Sequence, residues 1–335
     1  MQPNKHLIFS HAFDYSTDQV MDWLSSFGQR VERVNSDNTL AQEQDISFST
    51  STNSERDDSV KYASIWFRKV AKRLRQESIE KEQLADPIFE ATRPYFHQTI
   101  DQEWQNISDH YHQKFHSSHL LSRYLPFPLN KLYVLERAQN LGLDIPDTLI
   151  TRQRSSLLAF LQKYPKGIIN KSIADHLTFA DQSPKRKTYA NYTEEIYASM
   201  IEDFPTKFGP SLFQEKLDKK YEIRVFYLAG KCFSMAIFSQ GSTQTQLDFR
   251  RYDAKHPSRR TAYQLAQHIE EQIHLLMTDL KLNTGSLDFV QTTDGRTVFL
   301  EVNPSGQFGM TSYPCNYYLT KKIAEYLSQH ESKKT

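Results

Sequence analysis

The sequence predicts an α/β (α+β) protein built from more than one packed unit, and three observations carry that reading. The first 34 residues alternate strand, helix and strand. Two prolines, Pro126 and Pro128, interrupt the chain just before a freshly capped helix, where a continuing helix is ruled out. From Leu212 onward strands dominate, with one long amphipathic helix among them. A chain of 335 residues is long enough for one to three units, with a core that needs no disulfide or metal.

The elements follow in order. His6 to Ser10 is a short apolar strand. Thr17 to Phe27 reads as a helix carrying Val20, Trp23, Leu24 and Phe27, closed by Gly28. Arg30 to Val34 alternates like a strand, which completes a β-α-β opening. Residues 35–59 are polar loops with one short strand near Ile46 to Phe48, and Ala63 to Phe67 is a further strand. Residues 69–123 read as several short helices broken near Pro87 and Pro94. Asn130 caps a helix over Lys131 to Asn140 that ends at Gly142. A helix over 155–164, a strand over Gly167 to Lys171, a charged mobile loop over 181–192 and an amphipathic helix over Thr193 to Phe204 follow. Thr261 to Leu280 is a long helix with Ala262, Leu265, Ile269, Ile273, Leu276 and Leu280 on one face. Two strands and a last helix over Tyr317 to Leu327 close the chain.

Composition excludes several functions. A net charge of +1 gives no bulk electrostatic case for nucleic acid or membrane. Two distant cysteines, Cys232 and Cys315, do not make a secreted disulfide scaffold, so a reducing cytoplasm is expected. The apolar run Leu7 to Phe9 is too short for a signal segment, and nothing approaches the roughly 20 apolar residues of a membrane span.

The most informative segment runs from Ser286 to Pro304. Asp294-Gly295 between two apolar runs signals a hairpin. If these are the two loop residues, Thr293 faces Arg296, and counting back along the ladder sets Asp288 opposite Glu301. Asn303 shares the Glu301 face, two residues on. Like charges directly opposite destabilise a strand pair, so something must compensate. A hard divalent cation does so, since Mg²⁺ takes oxygen ligands of this kind while bridging to phosphates. A solvated polar face is the alternative.

Glu222, Arg224 and Phe226 share one face of a second hairpin that turns at Ala229-Gly230. Glu222 and Arg224 are then neighbours, either a surface ion pair or, for Arg224, a fork for phosphate or carboxylate. Lys171 at the end of its strand is a snorkelling surface lysine or a phosphate ligand. Lys185-Arg186-Lys187 reads as a solvated basic loop, and Asp248-Phe249-Arg250-Arg251 adds two guanidiniums after a polar loop. His112, His116 and His119 fall on one face of a helix, a spacing that suits Zn²⁺ but lacks an obvious fourth ligand. No arrangement reads as a Ser-His-Asp or Cys-His nucleophile.

Four blocks taken in order resemble the ATP-grasp superfamily: Asn130-Lys131 through Thr148; Ile169-Asn170-Lys171; Gln214 to Leu217 through Glu222 to Val225; and Leu287-Asp288 through Phe299 to Gln307. They span roughly residues 125–330. Within that superfamily, Glu301 to Phe308, Asp248-Phe249-Arg250 and Trp66-Phe67-Arg68 look like the graspetide (microviridin-type) peptide ligases. The tail Ser312 to Leu319 is similar to the grasp-with-spasm peptide maturases of that group.

The resemblance implies an ATP-grasp fold with an N-terminal pre-ATP-grasp domain over 1–125, a central subdomain over 126–211 and a C-terminal subdomain over 212–330. It implies ATP and Mg²⁺ as cofactors. Lys131 and Lys171 would hold nucleotide phosphates, and Glu215, Lys216 and Leu217 would form a hinge facing adenine. Asp288, Glu301 and Asn303 would hold Mg²⁺, and Arg224 and Arg250 would steady the transferred phosphate. Glu222 is a nucleotide-site residue and the candidate general base. ATP would phosphorylate an Asp or Glu side chain of a precursor peptide, and a Ser, Thr or Lys side chain would displace phosphate to close an ester or amide ring. The leader of that peptide would bind near 193–204 and 222–238, where Glu194, Glu195, Glu202 and Asp203 could meet basic residues. A homodimer is the family expectation, and a partner maturation protein is conceivable. The phosphate-covering loop departs from the family pattern, since residues 172–192 contain no glycine. Two alternatives stand beside this reading: an ATP-grasp amide ligase acting on a small acid or protein terminus, and an inactive peptide-binding homologue that keeps the fold.

Overall fold

The computed structural model describes residues 5–35, 62–69, 87–115, 117, 119–125, 129–173, 178–180, 188–190, 193–240 and 258–329. They fall into two compact units, residues 1–127 with 318–335, and residues 128–317.

In the first unit, β1 (Lys5–Ser10), α1 (Tyr15–Ser26) and β2 (Arg30–Asn35) form the expected β-α-β opening, with the two strands parallel. Gly28 takes φ +73°, so its N–H reaches Ser25 O (2.9 Å) and the Gln29 N–H reaches Leu24 O (3.0 Å). These two bonds satisfy the last carbonyls of α1, a left-handed closure that glycine adopts without strain. β3 (Ser64–Phe67) pairs parallel on the other side of β1, and β4 (Leu120–Leu121) extends the sheet to the order β2-β1-β3-β4. Leu7, Phe9, Ile65 and Phe67 project to one face, where they meet Tyr111, Phe115, Leu120 and Tyr124. Phe9 stacks on Phe67 with ring centres 4.9 Å apart.

Of the short helices expected over 69–123, the described residues show one helix, α2 (Pro87–Gln113), which starts at Pro87 and runs on through Pro94. An interior proline removes one backbone hydrogen bond, and the remaining bonds of a 27-residue helix outnumber that loss. The last helix, expected from Tyr317 within the C-terminal segment, is α7 (Leu319–Ser328) and packs on α1 and β3 of the first unit. Its Tyr326 hydroxyl donates to Leu120 O at 3.2 Å. The strand expected near Ile46 lies outside the described residues.

The second unit opens with α3 (Lys131–Asn140). Asn130 caps it as expected, its side-chain oxygen accepting from the Leu132 and Tyr133 N–H groups at 3.0 and 3.3 Å. One four-stranded antiparallel sheet, order β5-β10-β6-β9, comprises β5 (Thr148–Gln153), β6 (Ile168–Lys171), β9 (Glu194–Ile196) and β10 (Lys207–Glu215). α4 (Arg154–Gln162) covers it through Leu157 and Leu161, which join Ile168, Ile196, Ile201 and Phe213 in one cluster.

Two expectations fail in this sheet. Thr193 to Phe204 is not a helix: Glu194–Ile196 pairs with β6, and a 3₁₀ turn over Ala198–Asp203 follows. The free edge of β6 outcompetes helical periodicity in a stretch this short. Within the loop expected over 181–192, Thr188–Ala190 forms β8, which pairs antiparallel with β7 (Thr178–Ala180).

The other sheet is five-stranded and antiparallel, order β13-β12-β11-β14-β15, from β11 (Lys219–Leu228), β12 (Lys231–Phe238), β13 (Arg259–Tyr263), β14 (Thr284–Thr292) and β15 (Thr297–Asn303). The helix expected from Thr261 begins only at Gln267, as α5 (Gln267–Asp279), because Arg259–Tyr263 pairs with the open edge of β12. Ile269, Ile273, Leu276 and Met277 of α5 are buried. His274 meets the Tyr227 hydroxyl at 2.6 Å, so α5 lies on the sheet face that bears Ile223, Val225 and Tyr227. On the other face, α6 (Gly309–Cys315) packs near β11, β12 and β13, with Phe308 against Phe226 at 5.3 Å.

Candidate functional site

The face of the five-stranded sheet that carries Phe226 also carries a row of polar side chains. Register aligns Met235, Arg224, Asp288 and Glu301 across β12, β11, β14 and β15. The next row is Phe233, Phe226, Ser286 and Asn303. Asp288 and Glu301 are therefore cross-strand partners, as the hairpin count expects, with Asn303 two residues along.

The route to that pairing differs from the expected one. Thr292 N–H donates to Arg296 O (2.9 Å), and next along the ladder Gln291 pairs with Thr297, so the loop has three residues, Thr293, Asp294 and Gly295. Gly295 sits at φ +95°, the left-handed position that closes such a loop. Thr292 explains the choice, since its hydroxyl both accepts from the Arg296 N–H (2.9 Å) and lies 3.1 Å from Arg296 O. The register then shifts by one between Asp288 and Phe289, a β-bulge at Leu300 that restores the Asp288–Glu301 pairing.

Arg224 and Glu222 are neighbours on β11 but do not pair with each other. The Arg224 Nη1 donates to both oxygens of Asp288, at 3.0 and 3.2 Å, and the two side chains are only 8% and 13% exposed. Glu222 instead meets Lys219 Nζ at 2.5 Å, with the Ser239 hydroxyl donating at 3.4 Å. Asn303 is exposed, and its Oδ1 accepts from the Ser305 N–H at 3.0 Å. Glu301 is half-buried.

This donor set contains only hard oxygens, two carboxylates and an amide, which fits a divalent cation of the Mg²⁺ type. Among the described residues no group of three or more His, Cys, Asp or Glu side chains converges on a metal site. A cation here would take Asp288, Glu301 and Asn303 and fill its other positions with water or with oxygens of a second ligand, as Mg²⁺ does in nucleotide sites rather than in a closed protein cage.

The other expected residues are distributed over the unit. Lys131 is the first residue of α3 and Lys171 the last of β6, opposite Leu212, and both are half-buried. Glu215 ends β10, and Lys216 and Leu217 lie in the connection to β11. The Glu215 N–H donates to Asp147 O (3.0 Å), and its carboxylate accepts from Arg296 at 3.2 Å on each oxygen. Lys216 Nζ meets Glu195 at 2.9 Å and lies over the Tyr197 ring. Arg250, Asp248 and the 185–187 basic triplet lie outside the described residues.

His112 and His119 do not share the helix face that the zinc spacing requires. α2 ends at Gln113, so His119 is not on its face. His112 is buried, stacked on Tyr124 at 4.7 Å, with its Nδ1 on Ser108 O at 2.7 Å. His119 contacts the ring of Tyr326, with its Nε2 2.5 Å from Tyr326 O. His116 lies outside the described residues. Burial pushes the Cys232 thiol up to about 12, with the Glu270 charge adding to it, and burial also raises Cys315. Neither is a thiolate nucleophile near neutral pH. Sequence reasoning missed Lys219 as the partner of Glu222, and Arg296, whose only mark was its place just after Asp294-Gly295.

No family model matches the chain, and no curated protein matches it. Solved structures do. The macrocyclase MdnC from Microcystis aeruginosa MRC, bound with its precursor peptide MdnA, superposes with a TM-score of 0.75 at 23% identity, covering 96% of this chain and 99% of that one. A Chryseobacterium gregarium RiPP-associated ATP-grasp ligase in complex with ADP, a leader and a core peptide gives 0.69 at 19% identity, covering 97% and 95%. The ATP-grasp ligase PsnB, complexed with a phosphomimetic variant of its minimal precursor, Mg and ADP, gives 0.70 at 15% identity, covering 98% of each chain. The chain thus has the ATP-grasp fold along nearly its whole length. No described helix is long and apolar enough to cross a membrane.

Proposed function

We propose that this chain is an ATP- and Mg²⁺-dependent peptide ligase that activates Asp or Glu side chains of a ribosomal precursor peptide and closes ester or amide macrocycles. The observation that carries the proposal is the Arg224–Asp288–Glu301 row with Asn303 beside it, set in a fold shared end to end with peptide ligases that were solved with nucleotide or precursor.

Bound Mg–ATP supplies the phosphoryl group that turns a carboxylate, a poor electrophile, into an acyl donor with a good leaving group. The chain's own part is positioning and charge. Asp288, Glu301 and Asn303 would hold the cation. Lys131 and Lys171 would bind phosphate oxygens, and Lys216 and Leu217 the adenine through backbone groups. The two bonds to Asp288 hold the Arg224 guanidinium in the sheet. A fixed donor stabilises charge building on a transferred phosphate without reorganising at the moment of reaction. Arg250 would join it. Glu222 is engaged by Lys219 and the Ser239 hydroxyl, so proximity of the peptide hydroxyl or amine carries the second half-reaction.

The peptide leader would bind near residues 193–204 and the 222–238 hairpin, where Glu194, Glu195, Glu202 and Asp203 would meet basic leader residues. The same reading has the protein act in the cytoplasm, as a homodimer, alongside a partner maturation protein.

Mass spectrometry tests the activity. A neighbouring short peptide with Ser or Thr and Asp or Glu near its C-terminus, incubated with the protein, ATP and Mg²⁺, should lose one water mass per bond formed. Glu301→Gln should abolish that loss while leaving the unfolding transition near wild type. Turnover that survives Glu301→Gln refutes the cation assignment, and a cognate peptide that binds yet never loses water refutes the ligase.

A further inference from the structure

Away from the carboxylate row, a second polar cluster lies at the far end of the same hairpin. The Arg296 guanidinium faces three carboxylates: Glu215 through two 3.2 Å bonds, Asp294 at 3.3 Å and Asp144 at 3.8 Å. Glu215 Oε1 also accepts from the Asp147 N–H at 3.2 Å, while the Glu215 N–H donates to Asp147 O. Residue 144 returns to β15, since the Phe299 N–H donates to Asp144 O at 2.8 Å. The contacts close a ring: β15, the 144–147 segment, Glu215, Arg296 and back to β15.

A second bond comes from the same turn. The Thr293 N–H donates to Asp218 O at 2.9 Å. The turn therefore grips the β10–β11 connection at both ends, Arg296 on Glu215 and Thr293 on Asp218, with Lys216 and Leu217 framed between.

We propose that this turn is a clasp that holds the β10–β11 connection in register with the cation-binding strands, and that Arg296 is a nucleotide-positioning residue. The proposal rests on the reading that Lys216 and Leu217 face a nucleotide base. β14 and β15 are the strands that carry Asp288, Glu301 and Asn303. A paired hairpin is stiff, so fixing its turn to the connection fixes the spacing between a base held at one end and a cation held at the other. That spacing is about 17 Å along β15, five residues from Arg296 to Glu301. A nucleotide that spans both subsites binds best when the spacing does not fluctuate.

The chemistry of the cluster supports a clasp over a casual surface pair. Glu215 is only 12% exposed, and the fork-to-fork geometry with Arg296 is bidentate, which lysine cannot reproduce. Without the guanidinium, Glu215, Asp144 and Asp294 repel one another and push the turn off the connection. Burial first, and then the neighbouring carboxylates, already raise Asp144 against the pull of Arg296.

Calorimetry of Mg–ADP binding, beside Mn²⁺ binding measured by electron paramagnetic resonance without nucleotide, tests the clasp. Arg296→Ala should weaken ADP by about tenfold, Arg296→Lys by less, and the swap Arg296→Glu with Glu215→Arg should recover part of the loss. Mn²⁺ affinity should stay at the wild-type value in all three, because the cation ligands are untouched. ADP affinity unchanged in Arg296→Ala overturns the proposal. So does a parallel loss of ADP and Mn²⁺ binding in both the Ala and Lys variants, which is what general loosening of the unit produces. Wild-type protein that binds Mn²⁺ but no ADP instead refutes the nucleotide reading on which the clasp depends.

Discussion

Arg224→Met isolates the role of the buried charge row. The substitution keeps length and apolar bulk but removes the guanidinium from Asp288, whose side chain is 13% exposed and faces Glu301 across the β14–β15 ladder. Two carboxylate charges about 5 Å apart repel by about 3 kcal/mol at an effective dielectric near 20. Breaking one side of a buried pair costs about 3–5 kcal/mol in general, so the expected loss is about 3–4 kcal/mol. The chain's tryptophans, Trp23, Trp66 and Trp104, all lie in the first unit. Tryptophan fluorescence therefore reports the first unit, and urea unfolding is followed by far-UV circular dichroism, which reports both units. MgCl₂ should stabilise the variant more than wild type, since a cation between Asp288 and Glu301 replaces the lost charge. A variant within about 1 kcal/mol of wild type, with no extra response to MgCl₂, would falsify the argument that Arg224 offsets the carboxylate pair.

Two further predictions concern the first unit, where fluorescence does report. Asp14 and Arg68 are each 3% exposed and meet at 3.4 Å, with Lys69 at 3.3 Å from the same oxygen. Burial alone would raise the Asp14 carboxyl, but the Ser16 hydroxyl, Arg68 and Lys69 more than offset it and hold it well below the usual range. Asp14→Asn should therefore cost about 3 kcal/mol at neutral pH, read as an earlier urea midpoint of Trp66 fluorescence, and the gap should narrow as acid protonates the wild-type carboxyl. An unchanged midpoint rules that out. Burial lowers the His112 pKa below its ordinary 6.5, outweighing the Ser108 O hydrogen bond on Nδ1 and the nearby Asp109 charge, which both raise it, and Nε2 has no hydrogen-bond partner among the described residues. The unfolded chain takes up this proton first, so wild-type stability should fall as pH drops below about 6.5. His112→Phe, which keeps the stack on Tyr124, should flatten that slope; an equally steep slope in the variant assigns it to another group.

The pattern of hits and misses has physical causes. Caps and turns are local, so Asn130, Gly28 and the Ala229-Gly230 turn were legible from a few residues each. Pairings with open strand edges are not local. Glu194–Ile196 and Arg259–Tyr263 both carry helical periodicity, yet each completes the edge of a sheet whose other strands lie far away in sequence. The candidate site was legible where side chains alternate on a known strand, as with Arg224, Asp288 and Asn303. Its partners were not: Lys219 reaches Glu222, three residues on, only because the strand register shifts between Lys219 and Tyr221, and Arg296 reaches Glu215 across 81 residues. Arg250 remains an expectation from the resemblance alone.

The Asp288–Glu301 pairing was reached from sequence through a count that is off by one at the turn and off by one again at Leu300. Those offsets cancel, and the cancellation has a structural meaning. In the register set by the three-residue loop, Asp288 would face Leu300, and Glu301 would face Leu287, which is fully buried on the opposite side of the sheet. A one-residue slip sends every side chain beyond it to the other face. Without the bulge, both Glu301 and Asn303 would point away from Asp288, and the glutamate would enter an apolar layer. The extra residue at Leu300 turns the last stretch of β15 over, so the donors line up with Arg224 and Asp288 while Phe299 and Val298 stay in the core. The turn chemistry of Thr292 and the bulge are therefore one device in two places: a loop one residue longer closes the hairpin, and a bulge of one residue returns the ligating face to the side where Arg224 waits.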